Sequence, residues 1–456
     1  MRCVFTHTHT SRKPLFAATA MIALLALSGC GSWMGESEAP PLPGERISVL
    51  SFDQRLQADP ALAATALNLP TPRTNDSWAF AGGSASHSGG SFTLRDAPRK
   101  AWDRDIGNPV STESPIINTP VISNGIVYAT DSGGNVTALN SETGKEVWTT
   151  RIAPRSLEDD ATGSGLTLAG GKLFATIGYG EVVALDPASG EQIWRVKVGT
   201  PLRSSPSSDG QRVFVVTIDN QLLALSAQDG TRLWKHSGIA EATGLLGAPS
   251  PAIGPGYVLV AYSSGELYAL NVDNGRELWS DSLSGARRDG GVMAIAAIRG
   301  MPALSADGSI AVAISNSGRM VAIDVRSGQR IWDQRIGGNQ MPWIAGETVF
   351  VIDNLAQLTA INLRDGRVRW ITQLPQWREN NQKNGLIAWY GPVLAGGQLW
   401  LTNNLGRLQA YSPADGTAGA TYKLDDVANR PPVVANGTLY TPVSYTHLTL
   451  PTKRIV

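Results

Sequence analysis

Short stretches in which apolar and polar residues alternate recur along most of this chain, separated by turns rich in Gly, Asp and Asn. The clearest unit is residues 134–148, GNVTALNSETGKEVW. It returns at 180–194 (GEVVALDPASGEQIW), 220–234 (NQLLALSAQDGTRLW), 265–279 (GELYALNVDNGRELW), 318–332 (GRMVAIDVRSGQRIW) and 356–370 (AQLTAINLRDGRVRW). A seventh copy, 406–420 (GRLQAYSPADGTAGA), ends in Ala420 where the others end in tryptophan. Upstream of most copies lies another alternating segment that follows a glycine, as in 125–129, 171–175 and 397–401.

Each part of the unit has a physical reason. The alternating stretch predicts a half-buried strand. The central alanines (Ala138, Ala184, Ala224, Ala269, Ala322, Ala360, Ala410) are small where neighbouring sheets crowd together. The polar residues and glycine that follow make a turn, glycine being free to take positive φ. The tryptophan opens the next strand and buries a large ring between adjacent sheets. A period of roughly 40 to 50 residues with about four strands is one blade of a β-propeller. Residues 101–106 (AWDRDI) have the form of a tryptophan strand lacking its first part, and 433–440 (VVANGTLY) of a blade lacking its last part. Pairing the two closes the ring and leaves no free edge. Seven units and one split unit predict eight blades. The final stretch, 444–456 (SYTHLTLPTKRIV), matches no repeat and resembles a translated adapter sequence. We therefore expect it to be a non-native tail that leaves the eighth blade incomplete.

These motifs resemble the tryptophan-docking repeats of the pyrroloquinoline-quinone (PQQ)-like propeller superfamily. The resemblance implies an all-β, eight-bladed β-propeller over residues 77–443, with the repeat glycines, alanines and tryptophans in structural roles.

Composition adds an address. Lys13 closes a positively charged start that includes Arg2 and Arg12, and 15–27 (LFAATAMIALLAL) is an apolar run too short to span a bilayer. Leu27-Ser28-Gly29-Cys30 follows and resembles the bacterial lipobox, which makes residues 1–29 a lipoprotein signal peptide and Cys30 the lipidated residue. Several acyl chains on one residue anchor stably where one does not. In the family of such lipoproteins a residue other than aspartate after the cysteine, here Gly31, goes with the periplasmic face of the outer membrane. Residues 30–76 read as a lipid-anchored tether, rich in Pro, Ala, Ser and Leu. Asp59-Pro60 is a plausible helix start with Leu62, Ala66 and Leu69 on one side; a disordered spacer and a segment packed along the body both fit. The only other cysteine, Cys3, leaves with the signal, so the mature chain has no disulfide and no thiolate metal site. Lys and Arg number 38 and so do Asp and Glu, without a long basic run, which argues against nucleic acid as a partner.

Chemistry is hard to find. Of five histidines, His7 and His9 lie in the signal and His447 in the tail, leaving His87 and His236 without a nearby partner motif. We read His87 as a turn residue near Trp78 and expect no catalytic, metal or cofactor site. The enzymatic alternative, set by the superfamily resemblance, is a PQQ-dependent dehydrogenase. Such an enzyme needs a calcium held by carboxylate and amide oxygens, a cation for the quinone and an aspartate base. Asp186, Asn271 and Asp324 sit in repeat turns, where turn chemistry accounts for them.

Signal, lipobox, tether and PQQ-like blades together resemble the BamB family, the propeller lipoproteins of the outer-membrane β-barrel assembly machinery. Pro43-Gly44-Glu45-Arg46 resembles the alphaproteobacterial form. The resemblance implies a non-catalytic scaffold that binds the periplasmic POTRA domains of BamA through loops between blades, joins the other Bam components and helps unfolded outer-membrane proteins insert. A Leu-Arg contact pair of that family falls on Leu202 and Arg203, an apolar anchor and a cation for a carboxylate or carbonyl. An acidic pair of the family falls at 297–300 (AIRG), which does not match; Arg287, Arg288 and Asp289 on the enlarged loop nearby are the weaker candidates. A scaffold for another envelope complex is a third reading.

Overall fold

Every repeat glycine that closes a turn has positive φ, and in the six repeats that end in tryptophan the alanine sits opposite it across an antiparallel pair. The computed structural model describes residues 56–63, 65–95, 98–107, 119–154, 165–202, 204–240, 249–284, 297–379, 383–443 and, for the backbone alone, 447–449. Seven four-stranded antiparallel sheets are each made of four consecutive strands: blades 1 to 7, spanning 121–151, 165–197, 207–237, 252–282, 303–334, 343–373 and 389–423. Within each blade the first strand is innermost and the fourth outermost. The second strands are buried on both faces, as in Tyr257–Ala261 and Ile310–Ile314, whereas the fourth alternate, as in Glu146–Arg151.

The tryptophans latch each blade to the next. Each indole N–H donates to a carbonyl in the last turn of the following blade: Trp148 to Pro187, Trp194 to Ala227, Trp234 to Val272, Trp279 to Val325, Trp332 to Leu363 and Trp370 to Pro413. The turn glycine beneath the ring leaves room for it. A Cβ on Gly366 would lie 2.7 Å from the Trp332 ring, at a φ of 73° that already favours glycine. The alanine opposite each tryptophan is followed by a shift in register, so one small residue and one bulge seat the ring.

The eighth position differs from the expected count. Seven blades are complete, not eight; closing the ring is a four-stranded sheet stitched from both ends of the chain, in the order Asp103–Asp105, His447–Thr449, Thr438–Pro442, Val433–Ala435. The backbone of His447–Thr449 thus takes the third place, although 444–456 matches no repeat. Trp102, just before Asp103, donates to the Ser141 carbonyl of blade 1 and continues the latch pattern. Blade 7 breaks it. Its fourth strand, Ala418–Lys423, has Ala420 where the others carry tryptophan. The cause is visible in the topology: the third and fourth strands of the stitched sheet are not joined by a turn, so a seventh tryptophan would have no turn to dock on.

Before the first strand the chain crosses blade 6 and then enters the ring. Asp59 caps the helical turn Pro60–Ala63 by accepting from the Ala61 N–H, while its own N–H donates to the Val368 carbonyl on the outer strand of blade 6. Arg367 pairs with Asp59, and Arg369 donates to the Thr65 carbonyl. Residues 56–76, placed in the tether by the sequence, therefore pack on the propeller from Leu56 onward. Residues 73–95 then form a hoop. Its ends lie side by side, Arg73 donating to the Ser91 carbonyl and accepting from the Thr93 N–H, and it passes the inner strands in blade order. Asn75 meets the stitched sheet at Asn436, Trp78 meets Ile122, Ala79 Leu168, Ala85 Ile253, Ser86 Leu304, Gly90 Ile344, Phe92 Leu394, and Arg95 returns to Gly437. These backbone bonds reach seven of the eight sheets. Blade 3, whose inner strand is Ser207–Ser208, is the one outside this set among the described residues.

Candidate functional site

The antiparallel order of each blade sorts its connections. Turns between second and third strands share one face with the connections from one blade to the next; the two remaining kinds of turn share the other. Of the exposed large aliphatic side chains, Ile218, Ile239, Leu355, Leu386 and Val427 all fall in connections of the first face. We take that face as the candidate interaction surface.

The contact pair expected at Leu202 and Arg203 needs correction. Leu202 is 0% exposed, bridges to Thr217 and packs in the core with Phe174, Val213 and Leu225. A wholly buried leucine is not available as an anchor for a partner. Burial is explained by the bridge, which turns Leu202 into the blade while the adjacent Pro201 carbonyl accepts from the Ile218 N–H. Arg203, Arg288, Asp289 and Cys30 lie outside the described residues.

Beside Leu202, the seam of blades 3 and 4 presents a different apolar pair. Ile218 is 43% and Ile239 62% exposed. Asn220, at a φ of 58°, ties them together: its side-chain amide donates to the Ile239 carbonyl, and its carbonyl accepts from the Gly238 N–H. Its side-chain oxygen accepts from the N–H and hydroxyl of Ser263 in blade 4, so one residue joins both blades. Asp219, in the same turn, accepts from Gln221 at 2.9 Å and from the Thr217 hydroxyl.

Beneath this pair is a packed set of titratable groups. Glu266 accepts from the Ile239 N–H at 2.7 Å, the Ser264 hydroxyl at 2.7 Å and the Tyr268 hydroxyl at 2.6 Å. Burial opposes its ionisation, but these bonds and nearby His236 outweigh burial and hold the carboxyl below its usual range. The His236 ring stacks on Tyr262 and lies 4.5 Å from Tyr268, with Nδ1 3.0 Å from the Tyr262 hydroxyl. Burial lowers the His236 pKa against the pull of Glu277 and Glu266. Burial likewise raises Tyr262, and with Glu266 pushes Tyr268 up to about 12. The set supports the exposed isoleucines on a rigid base. Sequence reading missed it because the isoleucines fall between repeats, where no periodicity marks them.

His87 sits in the hoop as the turn residue expected, at a φ of 54°, but it is also fully buried. Its Nδ1 is 2.9 Å from the Pro302 carbonyl, and burial lowers its pKa to about 4. Trp78 stacks on Trp343, ring centroids 6.1 Å apart, with Phe92 edge-on to both. Among the described residues no group of three or more His, Cys, Asp or Glu is placed to hold a metal. No described helix is long and apolar enough to cross a membrane.

Comparison with known proteins gives a family and a wider set of structural neighbours. A family model described as outer membrane protein assembly factor BamB matches residues 95–160 and 132–372. The outer membrane protein assembly factor BamB of Shigella dysenteriae is 26% identical over 75% of this chain and 86% of its own. An uncharacterized protein of Rickettsia conorii is 28% identical over 57% of this chain, which spans 63% of that relative. Among solved structures, BamB from Moraxella catarrhalis superposes with a TM-score of 0.65 at 17% identity, covering 78% of this chain and 99% of the other. A europium-containing methanol dehydrogenase superposes with a TM-score of 0.63 at 14% identity, over 80% and 89%.

Proposed function

Because this chain belongs to the family of the outer membrane protein assembly factor BamB, we propose that it is a non-catalytic scaffold of the outer-membrane β-barrel assembly machinery. In this reading it is held at the periplasmic face of the outer membrane by lipid on Cys30. It binds the POTRA domains of BamA through the face that carries the connections between blades, and it brings unfolded barrel proteins to the insertion site. The observation that carries the contact site is the pair Ile218 and Ile239, exposed and fixed by Asn220 at the seam of blades 3 and 4. Exposed apolar anchors on a preordered base bind with little loss of conformational freedom. In this reading Arg203, the residue after Leu202 in the sequence, is the cation of the contact. Arg288 and Asp289, which the sequence places between blades 4 and 5, are in the same reading further contact candidates.

The test is capture of the lipidated protein from detergent-solubilised outer membranes, with partners identified by mass spectrometry. Co-purification of BamA that falls at least about tenfold in an Ile218→Glu, Ile239→Glu double variant supports both function and site. Unchanged capture by that variant moves the site elsewhere, and capture without any assembly component removes the scaffold reading. Arg203→Glu, compared in parallel, separates the apolar pair from the cation.

A second reading, quinone-dependent redox activity, is favoured by the superposition on the methanol dehydrogenase. Titrating the purified protein with pyrroloquinoline quinone and calcium while following tryptophan fluorescence decides it. Saturable quenching supports quinone binding, and an unchanged signal removes it.

A further inference from the structure

We propose that the hoop, residues 73–95, is an internal lock that closes the propeller from the axis, and that the outer sheet stitched from the chain ends is secondary to it.

Three observations meet here. First, the hoop makes backbone hydrogen bonds to the inner strands in blade order and returns to the sheet where it began, Asn75 and Arg95 both meeting the Asn436-Gly437 turn. Second, the seam between blade 7 and the stitched sheet is the one without a tryptophan latch, since Ala420 stands in the tryptophan position. Third, both ends of the hoop straddle that seam. Phe92 exchanges bonds with Leu394 and Gly396 of blade 7, Arg95 donates to Gly437 of the stitched sheet, and the Asn75 amide donates to the Val434 carbonyl. The Lys100 ammonium, 2.7 Å from Asp425 and 3.1 Å from Asp103, crosses the same seam only at the exposed surface, where ion pairs stabilise little.

The stitched sheet is a slight closure by comparison. Its strands are short, and Thr438–Pro442 pairs with His447–Thr449 through two residue pairs, Thr441 with Thr449 and Pro442 with Leu448. The hoop is buried instead. Trp78 and Phe92 pack against Trp343, Ile122 and Leu394 in one apolar cluster, and neighbouring backbone leaves no slack: a Cβ on Gly89 would lie 2.6 Å from the Trp343 ring. A device that bonds seven of the eight sheets makes opening at one seam felt at distant blades.

The test is hydrogen exchange of the full chain at the Ile253 and Leu304 amides, which donate to Ala85 and Ser86 on the side of the ring away from the open seam. Three proteins are compared with the parent: Trp78→Ala, Asn75→Ala and a chain ending at Val443. We expect Trp78→Ala to speed exchange at Ile253 and Leu304 by about tenfold or more, and the chain ending at Val443 to leave them within about twofold. Asn75→Ala, which removes only a side-chain amide, gives the same pattern at smaller size and serves if Trp78→Ala does not fold. Exchange confined to blades 1, 6 and 7 in the hoop variants means local packing and overturns the proposal. So does a truncated chain that opens as widely as Trp78→Ala.

Discussion

Ile218 donates to the Pro201 carbonyl, beside Leu202, yet Ile218 faces solvent and Leu202 the core. Sequence marks both only as apolar residues near a turn. The difference arises from a single bridge between Leu202 and Thr217, a tertiary contact that alternation within a strand does not encode. His87 shows the same limit. That it is a turn residue is readable from its glycine and serine neighbours; that it is buried against Pro302 is not. Its burial has a pH consequence. With a folded pKa lowered from 6.5 to about 4, the ring stays neutral in the folded protein, and its full contribution is present above about pH 6.5. That contribution is lost as pH falls from 6.5 through about 4, because the unfolded chain takes up the proton first. We expect urea unfolding at pH 4.5 to show about 2–3 kcal/mol less stability than at pH 7 from this group. His87→Asn, which tolerates positive φ, should lose that part of the difference; an equal drop in both proteins assigns it to other groups.

At the scale of the element, the repeats were legible because each is a self-contained solution to burying one strand face and one indole. Alanine, glycine and tryptophan recur at fixed offsets, and the structure sets them in register, Ala322 against Trp332 and Ala360 against Trp370. The latch between blades 5 and 6 is open to direct test. Trp332→Phe keeps most of the ring but removes the bond to the Leu363 carbonyl, and should cost about 1 kcal/mol in chemical denaturation. Gly366→Ala meets both the Trp332 ring at 2.7 Å and an unfavourable φ, and should cost more, about 2–3 kcal/mol. The reverse order of the two would mean that the indole bond, not the space for the ring, seats the latch. The hoop was not legible. It has no alternation and no helical period, only apolar residues scattered among glycines and serines, because its partners are seven different sheets rather than its own neighbours.

For the whole molecule, the sequence indicates a ring of repeats and the residues that pair to close it, but not how the closure is shared. Sheets in a simple array of repeats unfold in parts when their interfaces differ in strength. Here the hoop joins blades that are not neighbours, so differential scanning calorimetry should give one transition for residues 56–443, with the calorimetric and van't Hoff enthalpies in agreement. Two resolved transitions would mean that the blades separate before the hoop releases them. The scale of the whole also sets what a partner meets: a face whose exposed isoleucines rest on Asn220 and Glu266 presents a fixed shape rather than one formed on binding.

The position of the hoop near the start of the chain has a consequence in time. A chain growing from its amino end has made residues 73–95 before any blade exists, so the inner strands of all complete blades but the third meet a template that is already present. The last pairing, Asp103 with Thr449, must instead wait for nearly the whole chain, a contact of very high order and correspondingly slow. Assembly on an early core would let successive blades be captured as they appear, and it would shorten the interval in which unpaired strand edges are exposed to other chains.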